Sequence, residues 1–295
     1  MILRTIQGSA RVLRRALRAA AACCLALSLT GCGASLLYPR LDTIVAYYIR
    51  GLVTLDDAQS EQLERSLAAS LDWHRESELG RYAEFLRGLA GSIEGGVDGD
   101  QWLQASRQTE QYWRDIFVQA APGYAAVAAT LTDAQVAELM RNLEKKDEET
   151  WREYAERTPE ERRARREKAL RKTLERFTGP LTPGQRALVR AHAERAPPFM
   201  AEWRDNRRAW REALAAALAG RRSGQPFVDG MTRLISRPDE LWTPQYRAAV
   251  EGRRSATVAL LAELDGTLTP TQRGAARREL LSLADEVQRL ARSRG

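Results

Sequence analysis

The sequence predicts an all-α protein, an elongated multi-helix bundle of antiparallel helical hairpins with about eight to ten helices. Three observations lead to this prediction. Ala, Leu, Arg and Glu are abundant and charged residues make up 29% of the chain, a composition typical of helical proteins. Apolar residues recur every three or four positions along most segments. We find no useful length of alternating apolar and polar residues, which a strand would need.

The first 31 residues are predicted to be a secretory signal peptide that is removed. This stretch contains five arginines and no acidic residue, and an apolar run extends over 19–29. That order of basic and apolar regions is typical of secretory signals. An uncleaved anchor helix is the weaker alternative, because a membrane span needs about 20 apolar residues.

The segment Leu29-Thr30-Gly31-Cys32 closes this stretch and resembles the lipobox of bacterial lipoproteins. The resemblance implies cleavage between Gly31 and Cys32, and attachment of diacylglycerol and palmitate to the membrane-proximal Cys32. Gly33 follows the cysteine, whereas Asp is the usual inner-membrane retention signal in such lipoproteins. We therefore expect a protein anchored in the cell outer membrane by its lipid and facing the periplasm.

Three parts of the chain follow from this reading: the signal peptide 1–31, a lipid-proximal apolar segment 32–54 and an all-helical periplasmic domain 55–295. The whole chain has 46 Lys and Arg against 39 Asp and Glu, a net charge of +7. Because five of the arginines precede residue 32, the remaining part carries 41 basic against 39 acidic residues. A body so close to neutral gives no support to a nucleic-acid partner.

Cysteine usage excludes several kinds of chemistry. Cys23 and Cys24 leave with the signal peptide, and Cys32 is expected to be acylated. No thiol then remains for a disulfide, a metal site or a nucleophile, although the periplasm would permit disulfides. We expect no metal and no cofactor.

The segment 36–52 is the most apolar part of the mature chain. Leu41, Ile44, Val45 and Tyr48 recur at helical spacing, and Pro39 precedes them as a start signal. This helix could lie on the bilayer surface beside the lipid, with its tyrosines at the interface. Docking into the core of the body is the favoured alternative, because an apolar helix stripe usually serves packing.

Asp56 is predicted to begin a long helix, in which Gly80 marks a kink or a break. The pair Gly95-Gly96 should end this unit, and Asp98 or Asp100 should open the next helix. Pro122-Gly123 is expected to interrupt that helix.

A third helix begins at Thr132 and becomes strongly acidic from Glu144 onward, and the chain is strongly basic beyond Thr158-Pro159. The residue before a proline avoids the α region, so the helix should kink or stop there. The acidic and basic stretches could fold into a neutralising hairpin, or form solvated faces of one long bent helix. Later helices should open at Thr182, Thr243 and Thr269, with further helices over 199–218 and 227–235.

Four segments share a pattern, in which Leu precedes Thr or Asp and Gln follows three residues later. This pattern predicts a capping box, because the Thr or Asp side chain accepts from a backbone N–H that the Gln residue supplies, and the Gln side chain reaches back. Each cap contributes about 1 kcal/mol. The predicted cap residues are Asp56, Gln59, Thr132, Gln135, Thr182, Gln185, Thr269 and Gln272.

These four segments resemble the LTxxQ motif of Spy and CpxP, small helical periplasmic proteins of the envelope-stress response. The resemblance covers these short segments alone and implies a chaperone-like activity. Capping explains the same residues without common ancestry.

A wider resemblance rests on four segments: Leu37-Tyr38-Pro39-Arg40-Leu41-Asp42, Asp56-Asp57-Ala58-Gln59, Trp73-His74-Arg75 and Glu78-Leu79-Gly80-Arg81-Tyr82. These segments look like those of a family of proteobacterial lipoproteins with a domain of unknown function over nearly the whole mature chain. Members often have Pro where this chain has Gly80. The resemblance implies a lipoprotein with an all-helical body, and it brings no catalytic residue.

A search for catalytic constellations finds little. His74 lies on an apolar stripe and is predicted to be a partly buried structural histidine, whereas His192 is expected to be exposed. Two distant histidines without cysteine do not predict zinc. Asp147 and Glu148 could form a carboxylate pair, although dense helical acids usually form a solvated face. The tryptophans could line a groove, but packing between helices is the favoured use.

The sequence therefore favours a non-enzymatic, outer-membrane-anchored lipoprotein that binds another protein or an envelope component, in a role that includes chaperone-like binding. The alternative is an enzyme that acts on cell wall or sugar through carboxylates such as Asp147 and Glu148, which would have to converge across a cleft. A third reading is a structural role at the membrane surface through residues 36–52.

Overall fold

The computed structural model describes residues 37–293 and confirms the all-α prediction, because this part of the chain contains helices and connections without a strand. The predicted signal peptide, Gly31 and Cys32 lie outside the described residues. The α-helices in chain order are α1 (Leu41–Arg50), α2 (Asp57–Trp73), α3 (Leu79–Gly95), α4 (Gly99–Ala129), α5 (Asp133–Ala155), α6 (Pro159–Thr178), α7 (Pro183–Arg195), α8 (Met200–Ala219), α9 (Gln225–Ser236), α10 (Pro244–Asp265) and α11 (Pro270–Arg292).

Helices α2 and α3 are continuous through a single π turn, His74–Glu78. Counting them as one, residues 37–293 form ten separate α-helices. The break or kink expected at Gly80 is wrong, because Gly80 lies inside α3. The irregularity comes earlier, where the π turn adds a residue to the helical repeat. Gly96, with φ of +95°, ends α3 in a conformation that suits glycine.

Helix α4 runs without interruption through Pro122 and Gly123, so the predicted break there is also wrong. Proline removes one helical hydrogen bond, to the carbonyl of Val118, and that residue is exposed to water. Gly123 serves the close approach of α2, because a Cβ at Gly123 would lie 2.8 Å from the Cβ of Ser66.

Helix pairs that are distant in sequence form much of the core. The most extensive contact joins α3 to α11, and α4 packs against α2, α9 and α10. The largest apolar cluster lies between α4, α5, α8 and α9 and includes Leu214, Leu218, Phe227 and Met231. Pairing of consecutive helices also occurs, at α1–α2, α6–α7 and α8–α9.

The acidic and basic stretches belong to two helices with different partners. Helix α5 packs on α8, whereas α6 packs on α7 and α11. Between them Thr158 caps α6 by accepting a hydrogen bond from the backbone N–H of Glu161. One helix therefore ends before Thr158 and the next begins after it. The two stretches form neither a mutually neutralising hairpin nor one long bent helix.

The segment before α2 docks on the body with one face. Ala46 is 2% exposed and lies in an apolar cluster with Leu63 and Leu67 of α2. Tyr47 is 50% exposed, whereas Tyr48 contacts the body, because Nζ of Lys146 on α5 lies 4.4 Å from the centre of its ring. Docking thus takes one face of α1 and leaves Tyr47 facing outward. None of the helices within 37–293 combines the length and the apolar character that a membrane crossing requires.

Candidate functional site

The eight predicted cap residues form four capping boxes, and the boxes pair two by two. Gln59 at the start of α2 donates to the carbonyl of Thr130 at 3.0 Å, and Gln135 at the start of α5 donates to the carbonyl of Thr54 at 2.8 Å. The two glutamine side chains also hydrogen-bond each other, at 3.1 and 2.7 Å. Each glutamine therefore joins two helix N-termini.

The second pair repeats this arrangement at the starts of α7 and α11. Gln185 donates to the carbonyl of Thr267, and Gln272 donates to the carbonyl of Pro180, both at 3.0 Å. Asp56, Thr132, Thr182 and Thr269 accept the N-terminal backbone bonds of their helices. The amide groups of these glutamines are occupied within the fold, so the LTxxQ-like segments act as architecture.

His74 lies in an aromatic cluster at the π turn. The Tyr38 hydroxyl is 2.9 Å from Nδ1 of His74 and donates when that nitrogen carries no proton. The His74 ring stacks on the ring of Tyr38 and contacts the ring of Tyr82 edge-on. Burial lowers the pKa of His74 to about 4 and raises that of Tyr38 to about 12. This neutral, enclosed histidine fits the structural role predicted for it.

The carboxylates proposed for an enzyme do not converge. Asp147 is 8% exposed and binds Arg207, at 3.1 Å, and Arg211, both from α8. Glu148 points to solvent, because adjacent helical positions lie about 100° apart. Within 37–293 no group of three or more His, Cys, Asp or Glu side chains is placed to hold a metal ion.

A cleft lined by arginines lies where α6, α7, α10 and the start of α8 meet, and we call it the arginine cleft. Its volume is about 220 Å³. Arg162 and Arg166 of α6 face Arg253 of α10 across it, and the Pro197-Pro198 connection and Phe199 form another wall. The remaining lining residues are Tyr154, Pro159, Arg163, Glu194, Ala196 and Met200.

Each of the three facing arginines is held by neutral groups. Arg162 donates to the carbonyl of Tyr154 at 3.2 Å, and its guanidinium lies 4.5 Å from the centre of that ring. Arg166 donates twice to the carbonyl of Ala193, at 3.2 and 3.0 Å. Arg253 lies 4.6 Å from the centre of the Phe199 ring. Over the described range 37–293, none of the three forms an ion pair with a carboxylate.

This arrangement leaves uncompensated positive charge. Burial lowers the pKa of Arg253, and the nearby positive charge of Arg166 lowers it further. Burial and the charges of Arg195, Arg253 and Arg166 likewise lower the pKa of His192. A desolvated cation among like charges is unfavourable unless an anion accompanies it. The cleft is therefore suited to an anionic group.

The start of α8 adds to this field. Phe199 is the N-cap of α8 and offers no side-chain hydrogen bond to the first turn, and Met200 of that turn lines the cleft. Uncapped N–H groups and the helix dipole both favour an anion at such a position, although Glu202 of the same turn already supplies one negative charge.

A second depression, which we call the apolar groove, adjoins the arginine cleft. Its volume is about 380 Å³, and Arg166, Ala196, Pro197 and Arg253 line both depressions. Small and apolar residues provide most of the remaining wall. The other lining residues are Ala169, Leu170, Thr173, His192, Ala256 and Thr257.

Sequence reasoning did not find this site. Arg162 and Arg166 belong to the stretch expected to be solvated or paired with acids, and His192 was expected to be exposed but is half-buried in the groove wall. The conspicuous local signal was Pro197-Pro198, which ended a helix but pointed to no partner. None of the tryptophans lines the cleft or the groove.

Comparison with known proteins gives a family and no function. Residues 51–247, more than half of the chain, match a family of unknown function, DUF6279. The chain belongs to this family. Neither a curated protein nor a solved structure matches it.

Proposed function

We propose that this member of the family is a non-enzymatic lipoprotein that binds an anionic component of the cell envelope in the arginine cleft. The observation that carries the proposal is the set of three guanidinium groups, Arg162, Arg166 and Arg253, held by carbonyls and rings without a carboxylate partner in the described residues. Guanidinium groups that form no ion pair within the protein retain their capacity to bind an external anion.

The placement in the envelope rests on the lipobox-like segment. We propose lipidation at Cys32 after cleavage behind Gly31, and an outer-membrane anchor that leaves the body in the periplasm. The likeness to proteobacterial lipoproteins supports this placement, and so does the exposed Tyr47, which lies near the start of the described chain. Aromatic side chains of this kind favour a membrane interface.

From the likeness to Spy and CpxP we propose a binding role, but not binding through the LTxxQ-like segments. The LTxxQ-like glutamines are engaged in pairing helix N-termini, so binding of a client or envelope component would use another surface. The arginine cleft offers such a surface. Burial of Asp147 against two arginines supports binding over catalysis by helical carboxylates.

The anchor is tested by labelling growing cells with palmitate. The native protein should take up label, Cys32→Ala should lose it, and Cys24→Ala should keep it, because that thiol lies before the cleavage position. Label on Cys32→Ala would contradict the anchor.

The binding site is tested with the full lipidated protein in phosphatidylcholine nanodiscs, titrated with inorganic phosphate and with succinate. At least one anion should bind, and Arg253→Gln should weaken that binding at least tenfold. Arg65→Gln removes an arginine on α2 whose side chain is 70% exposed and should leave it unchanged. Absence of binding by both anions, or equal binding by Arg253→Gln, would overturn the proposed site.

A further inference from the structure

The arginine cleft and the apolar groove form one continuous surface with two chemical characters. Arg166 and Arg253 line both, so their guanidinium groups stand at the junction. On one side are Arg162 and the start of α8, and on the other are Ala169, Leu170 and Ala256. A ligand that used both sides would carry a charged group at one end and an apolar chain at the other.

We infer that this surface takes a lipid whose head group ends in a phosphate monoester, with that phosphate between Arg166 and Arg253 and an acyl chain in the apolar groove. The inference rests on the proposed function, because it assigns a chemical class to the anion proposed for the same cleft.

The free donors favour phosphate over a carboxylate. Over the described residues the guanidinium of Arg253 donates no hydrogen bond. Arg166 donates from Nε and Nη2 to the carbonyl of Ala193, which leaves its Nη1 available to a ligand. Arg162 uses Nη1 on Tyr154. Guanidinium groups match phosphate oxygens well, and a phosphate monoester offers three acceptor oxygens and a charge of about −1.5 to −2. A carboxylate offers two oxygens and a single charge.

The charge around the cleft has the matching sign. Four arginines line it, at positions 162, 163, 166 and 253, and Glu194 is the acid among its lining residues. Arg163 pairs with Glu160 on the exposed side of α6, which leaves three cations for the ligand. An anion seated there would relieve the repulsion between Arg166 and Arg253.

The groove has the size and lining for a chain. Its volume of about 380 Å³ falls within the range of about 300–1,000 Å³ of small-molecule sites. Ala169 and Ala256 keep the walls open, and Leu170 supplies an apolar floor that packs on the cluster of Leu181, Val189, Leu260 and Leu264.

The test compares three soluble ligands on the full lipidated protein in phosphatidylcholine nanodiscs. These are inorganic phosphate, dihexanoyl phosphatidic acid below its micelle concentration, and dihexanoyl phosphatidylcholine. Phosphatidic acid should bind at least tenfold more tightly than inorganic phosphate, because it adds the chain contact. Phosphatidylcholine should bind at least tenfold more weakly than phosphatidic acid, because it has no net charge.

Two variants separate the head from the chain. Arg253→Gln should weaken binding of both phosphate and phosphatidic acid at least tenfold. Ala169→Trp should fill the groove, weaken phosphatidic acid at least tenfold and leave phosphate unchanged. Ala164→Trp is the matched control, because Ala164 is exposed on the same helix and lines neither depression.

A thermal melt without ligand shows whether the Arg253→Gln variant is still folded. Arg253→Gln should melt no lower than the native protein, because it removes a half-buried cation that has no ion-pair partner in the described residues. The outcomes then separate the two claims. Equal affinity for phosphate and phosphatidic acid, or unchanged phosphatidic acid binding by Ala169→Trp, would overturn the lipid inference and leave the anion site standing. Absence of binding by both phosphate and succinate would overturn the anion site and, with it, the lipid inference.

Discussion

Gln185 and Gln272 lie far apart in the chain, yet their side-chain amides hydrogen-bond each other in both directions at 2.9 Å. Each oxygen also accepts the N–H of its own cap residue, and each nitrogen donates its second hydrogen to a carbonyl of the other connection. The hydrogen-bonding capacity of both amides is therefore filled. Gln59 and Gln135 repeat the same pattern, so two such pairs fix the starts of four helices.

Replacing Gln185 by Ala should cost more than the loss of an ordinary cap. Gln185 is 1% exposed, and its removal leaves polar atoms of Gln272 and Thr267 without their partner, which costs about 2–4 kcal/mol in unfolding free energy. Gln101 is the matched control, because it forms the same box with Asp98 but is exposed and hydrogen-bonds no second box in the described residues. Gln101→Ala should cost at most about 1 kcal/mol.

Urea unfolding measures both variants and the double variant Gln185→Ala with Gln272→Ala. The double variant should be more stable than the sum of the two single losses predicts, because the glutamines act as a unit. Equal losses for Gln185→Ala and Gln101→Ala would show that the pairing adds nothing to the cap.

Gly123→Ala should destabilise the α2–α4 contact. The added Cβ would meet the Cβ of Ser66 at 2.8 Å, and overpacking of this kind costs about 1–3 kcal/mol. Ser66→Gly in the same chain should recover part of the loss. Gly91→Ala is the control, because no neighbouring atom lies within 4 Å of the added carbon, and it should stabilise by about 0.5–1 kcal/mol. Unfolding free energies that fall equally for both glycines would refute the close-approach argument.

Asp147→Asn should weaken the contact between α5 and α8. The side chains of Arg207 and Arg211 are 28% and 15% exposed, and both bind Asp147. Removing one partner of a buried ion pair costs about 3 kcal/mol. Asp205→Asn breaks the exposed pair with Arg208 on α8 and should cost less than about 1 kcal/mol. Chemical unfolding distinguishes these outcomes, and a negligible loss for Asp147→Asn would show that the two arginines are adequately solvated.

Acidification should destabilise the protein through His74. Its pKa is lowered from 6.5 to about 4 in the folded state, so between these values the unfolded chain binds more protons. The contribution of His74 to the unfolding free energy is fully present above pH 6.5 and is lost as the pH falls toward about 4. From pH 7 to pH 5 this amounts to about 2 kcal/mol.

The measurement is the unfolding free energy at both pH values for the native protein and for His74→Gln. The variant should lose most of the decrease between them. His192→Gln should remove a smaller part of it, because His192 is less buried than His74, although burial and neighbouring arginines lower its pKa in the same direction. A pH dependence unchanged by His74→Gln would contradict the assignment.

Local signals in the sequence explain most of the helix starts. Thr182 and Thr269 carry their own cap, their own proline and their own glutamine, and these act within four residues. The two wrongly predicted helix breaks, at Gly80 and at Pro122-Gly123, share a cause. Glycine and proline lower the local preference for a helix by amounts that packing can exceed, and at Gly123 the absence of a side chain is what permits the contact with Ser66.

The arginine cleft could not be predicted in the same way. Arg166 lies in a basic run typical of a solvated helix face, and Arg253 lies on another helix beyond three intervening ones. No sequence spacing relates the two residues. The Phe199 ring that contacts Arg253 lies at the start of a third helix, α8.

The sequence by itself determined the helical class, the positions of the caps and the neutral charge balance of the part after residue 31, because each depends on composition or on residues within about one helical turn. The tertiary structure decided which caps pair, which face of α1 docks and which arginines come together without forming an ion pair. Those relations join residues far apart in the chain, and the mutual packing of all the helices sets their distances.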